Sequence, residues 1–145
     1  MKSQKYKKVV LGGTFDVLHK GHRALLKKAF GLGDVTIGLT SDKMARKFKK
    51  RKVNKFSDRK KAIEKLIKKE IRGKFKIIKI EDKFGPTLKE DFDYIVVSPE
   101  TYPKAVLINK KRKKAKKRPM KIVKIKFVLG RDKKPISATK LRKML

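Results

Sequence analysis

The sequence predicts a three-layer α/β domain in which helices cover both faces of a doubly wound, five-stranded parallel sheet. Short β-branched runs alternate along the chain with longer segments whose apolar residues recur at helical spacing. The run Tyr94–Val97 contains no charged residue, which is typical of a strand that is buried on both faces. The length of 145 residues suits one core, and no linker or repeat interrupts it. We therefore expect a single Rossmann-like domain over residues 1–145.

Each predicted strand is a short run of apolar, mostly β-branched residues. The five runs are Tyr6–Leu11, Asp34–Leu39, Phe75–Ile80, Tyr94–Val97 and Ile122–Leu129. In doubly wound sheets, ligands bind beyond the carboxyl ends of the strands. The residues that follow each strand are therefore the candidates for a binding site.

Helices are predicted from apolar residues at helical spacing and from capping residues. The first covers His22–Phe30, and a later one covers about Glu100–Lys117. Ser57 is the expected cap of the helix between them, and a last helix is expected to begin near Ser137. The apolar face of the helix that follows Ser57 comprises Ala62, Ile63, Leu66, Ile67 and Ile71.

Lysine and arginine dominate the composition. The chain has 46 Lys and Arg residues against 13 Asp and Glu, a formal net charge of +33 and a pI near 10.6. Such an excess is typical of proteins that meet phosphate groups. Abundant lysine with few amide side chains is also the composition of heat-adapted proteins, and we attribute much of the charge to that cause. The absence of cysteine excludes a disulfide framework and a thiolate metal site.

No apolar run is long enough to cross a bilayer, and no signal-peptide pattern opens the chain. We therefore expect a cytoplasmic protein without a membrane partner. Basic residues form two runs, Lys43–Lys55 and Lys110–Arg118. They are interpreted as solvated faces, because the chain has no tryptophan and no recognisable nucleic-acid-binding module. No specific nucleic-acid partner is expected, and a monomer is favoured.

The stretch from Gly12 to His22 offers a cradle for a phosphate group. Gly12 and Gly13 end the first strand, Thr14 adds a hydroxyl, and the only two histidines, His19 and His22, lie where a helix begins. The stretch lacks both the dinucleotide fingerprint and the Gly-Lys-Ser/Thr of a P-loop. Taken alone, the histidines could equally be surface or capping residues.

A second candidate anion site lies near the carboxyl end of the chain. Ser137 and Thr139 would begin a short helix, and Arg142 follows about one turn later. The alternative interpretation is an ordinary capped helix with basic residues in its last turn.

Together, Gly-Gly-Thr-Phe-Asp-x-x-His-x-Gly-His and Ile-Ser-x-Thr-x-x-Arg resemble the motifs of the nucleotidyltransferase superfamily. Within it, the chain is similar to the archaeal-type phosphopantetheine adenylyltransferases. Intervening segments agree with that branch, namely Gly38–Asp42, Val97–Thr101, Asn109 and Arg112. The resemblance extends over almost the whole chain. One departure is Ala138, where the family often has a second serine.

The resemblance implies transfer of an adenylyl group from ATP to 4′-phosphopantetheine, which yields dephospho-coenzyme A and pyrophosphate. It implies catalytic roles for His22, Thr14 and His19. Lys43 is favoured over Arg46 and Lys47 as a partner, with Thr14, of the acceptor phosphate. Mg²⁺ is expected to arrive with ATP, without a metal site in the protein. The residues expected to bind ATP are Gly12, Gly13, His19, His22, Ser137, Thr139 and Arg142.

Two other functions stay open on the sequence alone. One is a related enzyme of the same superfamily, such as an FMN or nicotinamide mononucleotide adenylyltransferase or a cytidylyltransferase. The other, of a different class, is a basic polyanion-binding protein.

Overall fold

A computed structural model describes residues 7–48 and 52–126 of the chain. In this part of the chain, five parallel strands form one sheet. Across the sheet, the third, second, first, fourth and fifth strands lie side by side, which confirms the predicted doubly wound arrangement. In chain order, the strands are β1 (Lys8–Gly13), β2 (Asp34–Thr40), β3 (Phe75–Ile80), β4 (Tyr94–Val97) and β5 (Lys121–Lys124).

Helical segments connect these strands. The helices are α1 (Lys20–Leu32), α2 (Asp42–Phe48), α3 (Phe56–Leu66) and α4 (Tyr102–Lys114). A π-helical turn, Ile67–Ile71, continues α3, and a 3-10 turn, Gly85–Leu88, follows β3. α2 was not predicted, because its seven residues are too few for a helical apolar pattern to stand out among basic side chains.

Alternate residues of β1 contribute to two apolar clusters, which lie on opposite faces of the sheet. Val9 and Leu11 pack with residues of α1 and α3 such as Leu26. Val10 packs with β4 and with Ile108 of α4. Since neighbouring residues of a strand point to opposite faces, the two clusters confirm the predicted three layers.

Strand β1 pairs unequally with its two neighbours. All six of its residues, from Lys8 to Gly13, are in register with β2, whereas only Val9 and Val10 are in register with β4. The strand order reverses between β1 and β4. The crevice in which doubly wound sheets bind ligands therefore lies at the carboxyl ends of these two strands.

The prediction that Ser57 caps a helix is wrong. α3 begins one residue earlier, at Phe56, and its N-cap residue, Lys55, makes no side-chain capping bond. Instead, Oδ1 of Asp42 in α2 accepts a hydrogen bond from the N–H of Phe56 at 2.7 Å. A carboxylate distant in sequence thus supplies the cap that a local serine was expected to supply.

Most other elements agree with the sequence pattern. β3 and β4 have the predicted bounds, while α1 begins two residues before His22 and α4 is shorter at both ends than Glu100–Lys117. Of the predicted last strand, the structure describes residues up to 126, and β5 covers Lys121–Lys124. The helix expected near Ser137 lies outside the described residues, so one domain over residues 1–145 stays a prediction.

Candidate active site

A cavity of about 290 Å³ opens at the carboxyl ends of β1 and β4. Its walls are mainly apolar, and its floor includes the backbone of the residues that end β1. Among residues 7–48 and 52–126, none that lines the cavity is acidic. Apolar wall residues are Val10, Ile80, Phe84, Ile95, Val97, Ala105 and Ile108. The site predicted from the order of the strands is therefore a real concavity of a size that suits a small molecule.

Gly12 and Gly13 lie inside β1 and line this cavity. A Cβ atom added to Gly12 would lie 3.3 Å from the carbonyl oxygen of Gly38 in β2. A Cβ on Gly13 would lie 3.2 Å from the ring of Phe15. The two glycines therefore let the backbone of β1 pass close to its neighbours, and they leave bare backbone exposed to a ligand.

Phe15 forms the turn that leads from β1 toward α1. Its φ of 48° is in the left-handed region, which is costly for a bulky residue. Its side chain is buried, and the ring centroids of Phe15 and His22 lie 4.9 Å apart. Packing of the ring thus holds an unusual backbone conformation directly beside Thr14.

Thr14 is held by a partly buried hydrogen-bond network and also lines the cavity. The hydroxyl of Thr40, at the end of β2, donates to Oγ1 of Thr14 at 3.0 Å. Nη1 of Arg59 in α3 donates to the carbonyl oxygen of Thr14 at 3.0 Å. The sequence gives no signal for Arg59, which is one of many basic residues but is only 1% exposed.

His19 is the N-cap residue of α1, as one of the alternative interpretations of the sequence allowed. Its Nδ1 accepts a hydrogen bond from the N–H of Gly21 at 3.0 Å. A neutral imidazole that accepts at Nδ1 carries its hydrogen on Nε2. Capping therefore leaves an Nε2–H donor on this ring. A Cβ on Gly21 would lie 2.8 Å from Cε1 of His19, so this glycine makes room for the cap.

The surroundings of His19 favour the neutral form of its ring. Burial lowers the pKa of His19 below its ordinary value, and the carboxylate of Glu100 opposes that shift. The ring therefore offers a hydrogen-bond donor rather than a positive charge at neutral pH. The ring of His22 stacks on it with centroids 4.0 Å apart. The structure thus brings the two predicted histidines together where α1 begins.

Asp16 connects two segments that are distant in sequence. Its Oδ1 accepts from the N–H of Asn54 at 2.8 Å, and Nδ2 of Asn54 donates to the carbonyl oxygen of Asp16 at 3.0 Å. The reciprocal pair joins the histidine-containing turn to the segment that precedes α3.

Two lysines that were not predicted from the sequence line the cavity. Lys83 follows β3, and Lys104 lies in the first turn of α4, after β4. Burial and the neighbouring charge of Lys83 lower the pKa of Lys104, while Asp82 opposes the shift. Their position could have indicated a role, since both lysines follow the carboxyl end of a strand. Lysines are so abundant in this chain, however, that this position does not single them out.

Lys43, the residue favoured for the acceptor phosphate, lies in α2 with an exposed side chain and is not among the residues that line the cavity. Its role stays a prediction. Ser137, Thr139 and Arg142 lie outside the described residues, so their roles in ATP binding stay predictions as well.

Asn109 and Arg112, which supported the resemblance, are structural in this molecule. Asn109 exchanges two hydrogen bonds with the backbone of Met120, at 2.8 and 2.9 Å. Arg112 is fully buried, and Nη1 donates to the carbonyl oxygens of Thr87 and Glu90 at 2.8 and 2.9 Å. The two side chains therefore fix β5 and the 3-10 turn, whose residues form one wall of the cavity.

Within residues 7–48 and 52–126, no three His, Cys, Asp or Glu side chains are grouped closely enough to hold a metal ion. In the same part of the chain, no helix has the length and apolar character that crossing a membrane requires. The Mg²⁺ expected with ATP stays a prediction.

The cavity presents the Thr14 hydroxyl, bare backbone and two lysines, which is the chemistry of a site for a small anionic molecule. His19 and His22 follow Thr14 in the chain but are not among the residues that line the cavity. Residues 10–144 match the cytidylyltransferase-like family. Over 94% of its length, the chain is 46% identical to the phosphopantetheine adenylyltransferase of Methanosarcina acetivorans, of which it covers 89%. The corresponding enzyme of Archaeoglobus fulgidus is 44% identical, again over 94% of this chain and over 93% of its own length. The chain belongs to the archaeal phosphopantetheine adenylyltransferase family.

A solved structure agrees with this assignment. A protein of unknown function from Archaeoglobus fulgidus superimposes with a TM-score of 0.75 at 45% identity, over 81% of this chain and 88% of the other. Family membership confirms the resemblance drawn from the two end motifs, and with it the Rossmann-like nucleotidyltransferase fold.

Proposed function

We propose that this protein transfers the adenylyl group of ATP to 4′-phosphopantetheine, with dephospho-coenzyme A and pyrophosphate as products. One observation carries the proposal beyond the family name. An apolar cavity with lysines among its lining residues adjoins the carboxyl end of β1, where Thr14 precedes the histidine pair. That combination suits an acceptor with a long uncharged arm and a terminal phosphate.

The cavity offers contacts for both the pantetheine arm and the phosphate of the acceptor. Its apolar walls would contact the uncharged pantetheine arm, and backbone groups of Gly12 and Gly13 would meet the polar atoms of the arm. The phosphate would lie between Thr14 and the ammonium groups of Lys83 and Lys104, because a phosphate needs hydrogen-bond donors and opposite charge.

The reaction needs positioning more than proton transfer. The attacking group is already an anionic phosphate, so no strong general base is required, and catalysis consists of aligning the two substrates and stabilising the charge that develops. The neutral His19 would donate from Nε2–H to a phosphate of ATP. His22 would donate to the α-phosphate as charge accumulates there, and Thr14 would bridge the α-phosphate and the incoming phosphate.

We further propose that ATP reaches the site with Mg²⁺ and that Ser137, Thr139 and Arg142 hold its β- and γ-phosphates. Support for these roles is the motif Ile-Ser-x-Thr-x-x-Arg alone. The monomeric state and the cytoplasmic location stay predictions.

The test is pyrophosphate release from ATP with a panel of acceptors: 4′-phosphopantetheine, pantetheine without its phosphate, FMN and nicotinamide mononucleotide. We expect turnover with the first only. Turnover with FMN or nicotinamide mononucleotide, but not with 4′-phosphopantetheine, would overturn the substrate assignment.

A variant tests the residue roles in the same assay. His22→Ala should lower kcat by at least about a hundredfold, as the loss of a donor to developing charge does in other enzymes. Arg23→Ala is the matched control, since Arg23 is adjacent, exposed and ion-paired only at the surface, to Glu70 at 3.4 Å. Normal turnover by the His22 variant would refute the assigned role.

A further inference from the structure

Arg59 of α3, Thr40 of β2 and Thr14, which directly follows β1, form a directional chain of hydrogen bonds that ends at the cavity. We propose that Arg59 and Thr40 are positioning residues, which fix the direction in which the Thr14 hydroxyl donates, so that its hydrogen is offered to a bound phosphate. This inference rests on the proposed function, because it assumes that Thr14 contacts a phosphate.

The direction follows from the donors and acceptors in the chain. Arginine has only donors, and Nη1 of Arg59 lies 3.3 Å from Oγ1 of Thr40 and 2.9 Å from its carbonyl oxygen. Nη1 carries two hydrogens, which the carbonyl oxygens of Thr14 and Thr40 accept at 3.0 and 2.9 Å, so the longer contact to Oγ1 of Thr40 shares one of them. Because Nη1 can only donate, the Thr40 hydroxyl turns its lone pairs toward Arg59 and donates its own hydrogen to Oγ1 of Thr14 at 3.0 Å. The hydrogen of the Thr14 hydroxyl is not used in that bond and is available on the cavity side.

Arg59 is fixed well enough to impose this direction. Its side chain is fully buried, its Nε donates to the carbonyl oxygen of Asn54 at 2.7 Å, and its Nη2 lies 3.0 Å from Oδ1 of Asp42. Burial alone would raise the pKa of Asp42, but hydrogen bonds from Phe56 N–H and Arg59 outweigh it and hold that pKa below its ordinary value. Asp42 therefore stays ionised and balances the buried guanidinium.

Arg112 shows what a purely structural arginine looks like in this molecule. It is equally buried, yet its partners are the carbonyl oxygens of Thr87, Glu90 and Arg118 and the exposed carboxylate of Asp91. In the part of the chain that the structure describes, no partner of Arg112 is a hydroxyl that faces the cavity. Arg59 differs because one of its partners, Thr40, passes a hydrogen bond on to Thr14.

The test removes the Thr40 hydroxyl without changing the shape of the side chain. In Thr40→Val, the Thr14 hydroxyl loses its donor and is free to turn away from the ligand, so kcat/KM for the acceptor should fall by about tenfold, the effect of about one hydrogen bond to a charged group. Thr40→Ser should retain activity. Thr36→Val is the matched control, because Thr36 is also buried in β2 but lies near its amino end, four residues before Thr40.

A double-mutant cycle separates positioning from a structural role. If Thr40 acts through the Thr14 hydroxyl, Thr14→Ala/Thr40→Val should be no less active than Thr14→Ala alone, to within about twofold. Thermal unfolding of each variant checks that the fold is retained. Wild-type kcat/KM in Thr40→Val, or losses that multiply in the double variant, would overturn the inference.

Failure of the proposed function would look different. If the folded wild-type chain releases no pyrophosphate with any acceptor, the proposed function is wrong. The same variants are then titrated with ATP by calorimetry. Weaker ATP binding in Thr14→Ala and Thr40→Val, but not in Thr36→Val, supports the positioning role. Equal affinity in all of them overturns it.

Discussion

The glycine between the two histidines gives a prediction in which stability and activity separate. In Gly21→Ala, the new methyl group would lie 2.8 Å from Cε1 of His19, which is closer than real Cβ contacts come, and 3.0 Å from Nδ1. The imidazole must therefore move, and its cap on Gly21 N–H is lost. The substitution gives Lys20 and the rest of α1 no cause to move.

The two effects on stability oppose each other. Loss of an N-cap costs about 1 kcal/mol, whereas replacement of glycine by alanine within a helix stabilises it by about 1 kcal/mol. The free energy of unfolding should therefore change by less than about 1 kcal/mol. Activity has no such compensation, because displacement of the His19 Nε2–H donor by about 1 Å can cost about a hundredfold in rate.

Urea unfolding gives the first quantity, and steady-state pyrophosphate release gives the second. Gly31→Ala is the matched control in the same helix, since a Cβ there meets nothing within 4 Å. It should raise stability by about 0.5–1 kcal/mol and leave kcat unchanged. Wild-type turnover by Gly21→Ala would show that the His19 donor does not act on the substrate, and the reasoning would fail.

Three further predictions concern charge. The KM for 4′-phosphopantetheine should rise as the pH rises through the lowered pKa of Lys104, because only the ammonium form attracts the phosphate. Lys104→Arg stays charged and should abolish that dependence. A pH-dependent KM in the arginine variant would contradict the assignment. Arg112→Met should lower the free energy of unfolding, measured by urea titration, by about 3–5 kcal/mol, since it leaves buried carbonyl groups and Asp91 without their partner. Lys113→Met is the exposed control. An effect of Arg112→Met no larger than that of the control would contradict this account. Binding to random-sequence DNA, followed by fluorescence anisotropy, should be weak at physiological salt and fall steeply as salt increases; tight binding there would favour the polyanion-binding alternative.

Most of the sheet could be predicted from the sequence because its strands are short apolar runs bounded by turns. The bounds of β3 and β4 agree to the residue, and those of β2 differ by one. Local rules failed where a distant side chain intervenes. The start of α3 depends on Asp42, and the start of α1 depends on a histidine cap, which is not among the usual capping residues.

The residues of the candidate site also fall into those that a local pattern predicts and those that it does not. Gly12, Gly13 and Thr14 could be found because a strand that ends in glycines and a hydroxyl is a recognisable local pattern. Arg59 and Lys104 could not be found, since 46 lysines and arginines offer no local contrast and only the folded chain shows which of them are buried or line the cavity.

The unequal pairing of β1 has a consequence for the main chain itself. Beyond Val10, β1 and β4 are no longer in register, so the facing edges of residues 11–13 and 96–97 lack a strand partner in the described part of the chain. Peptide groups in a protein interior need hydrogen-bond partners, and here the edges border a cavity open to solvent. These edges therefore leave amide donors and carbonyl acceptors of the main chain at the cavity, where a ligand with amide groups would find partners without any side chain.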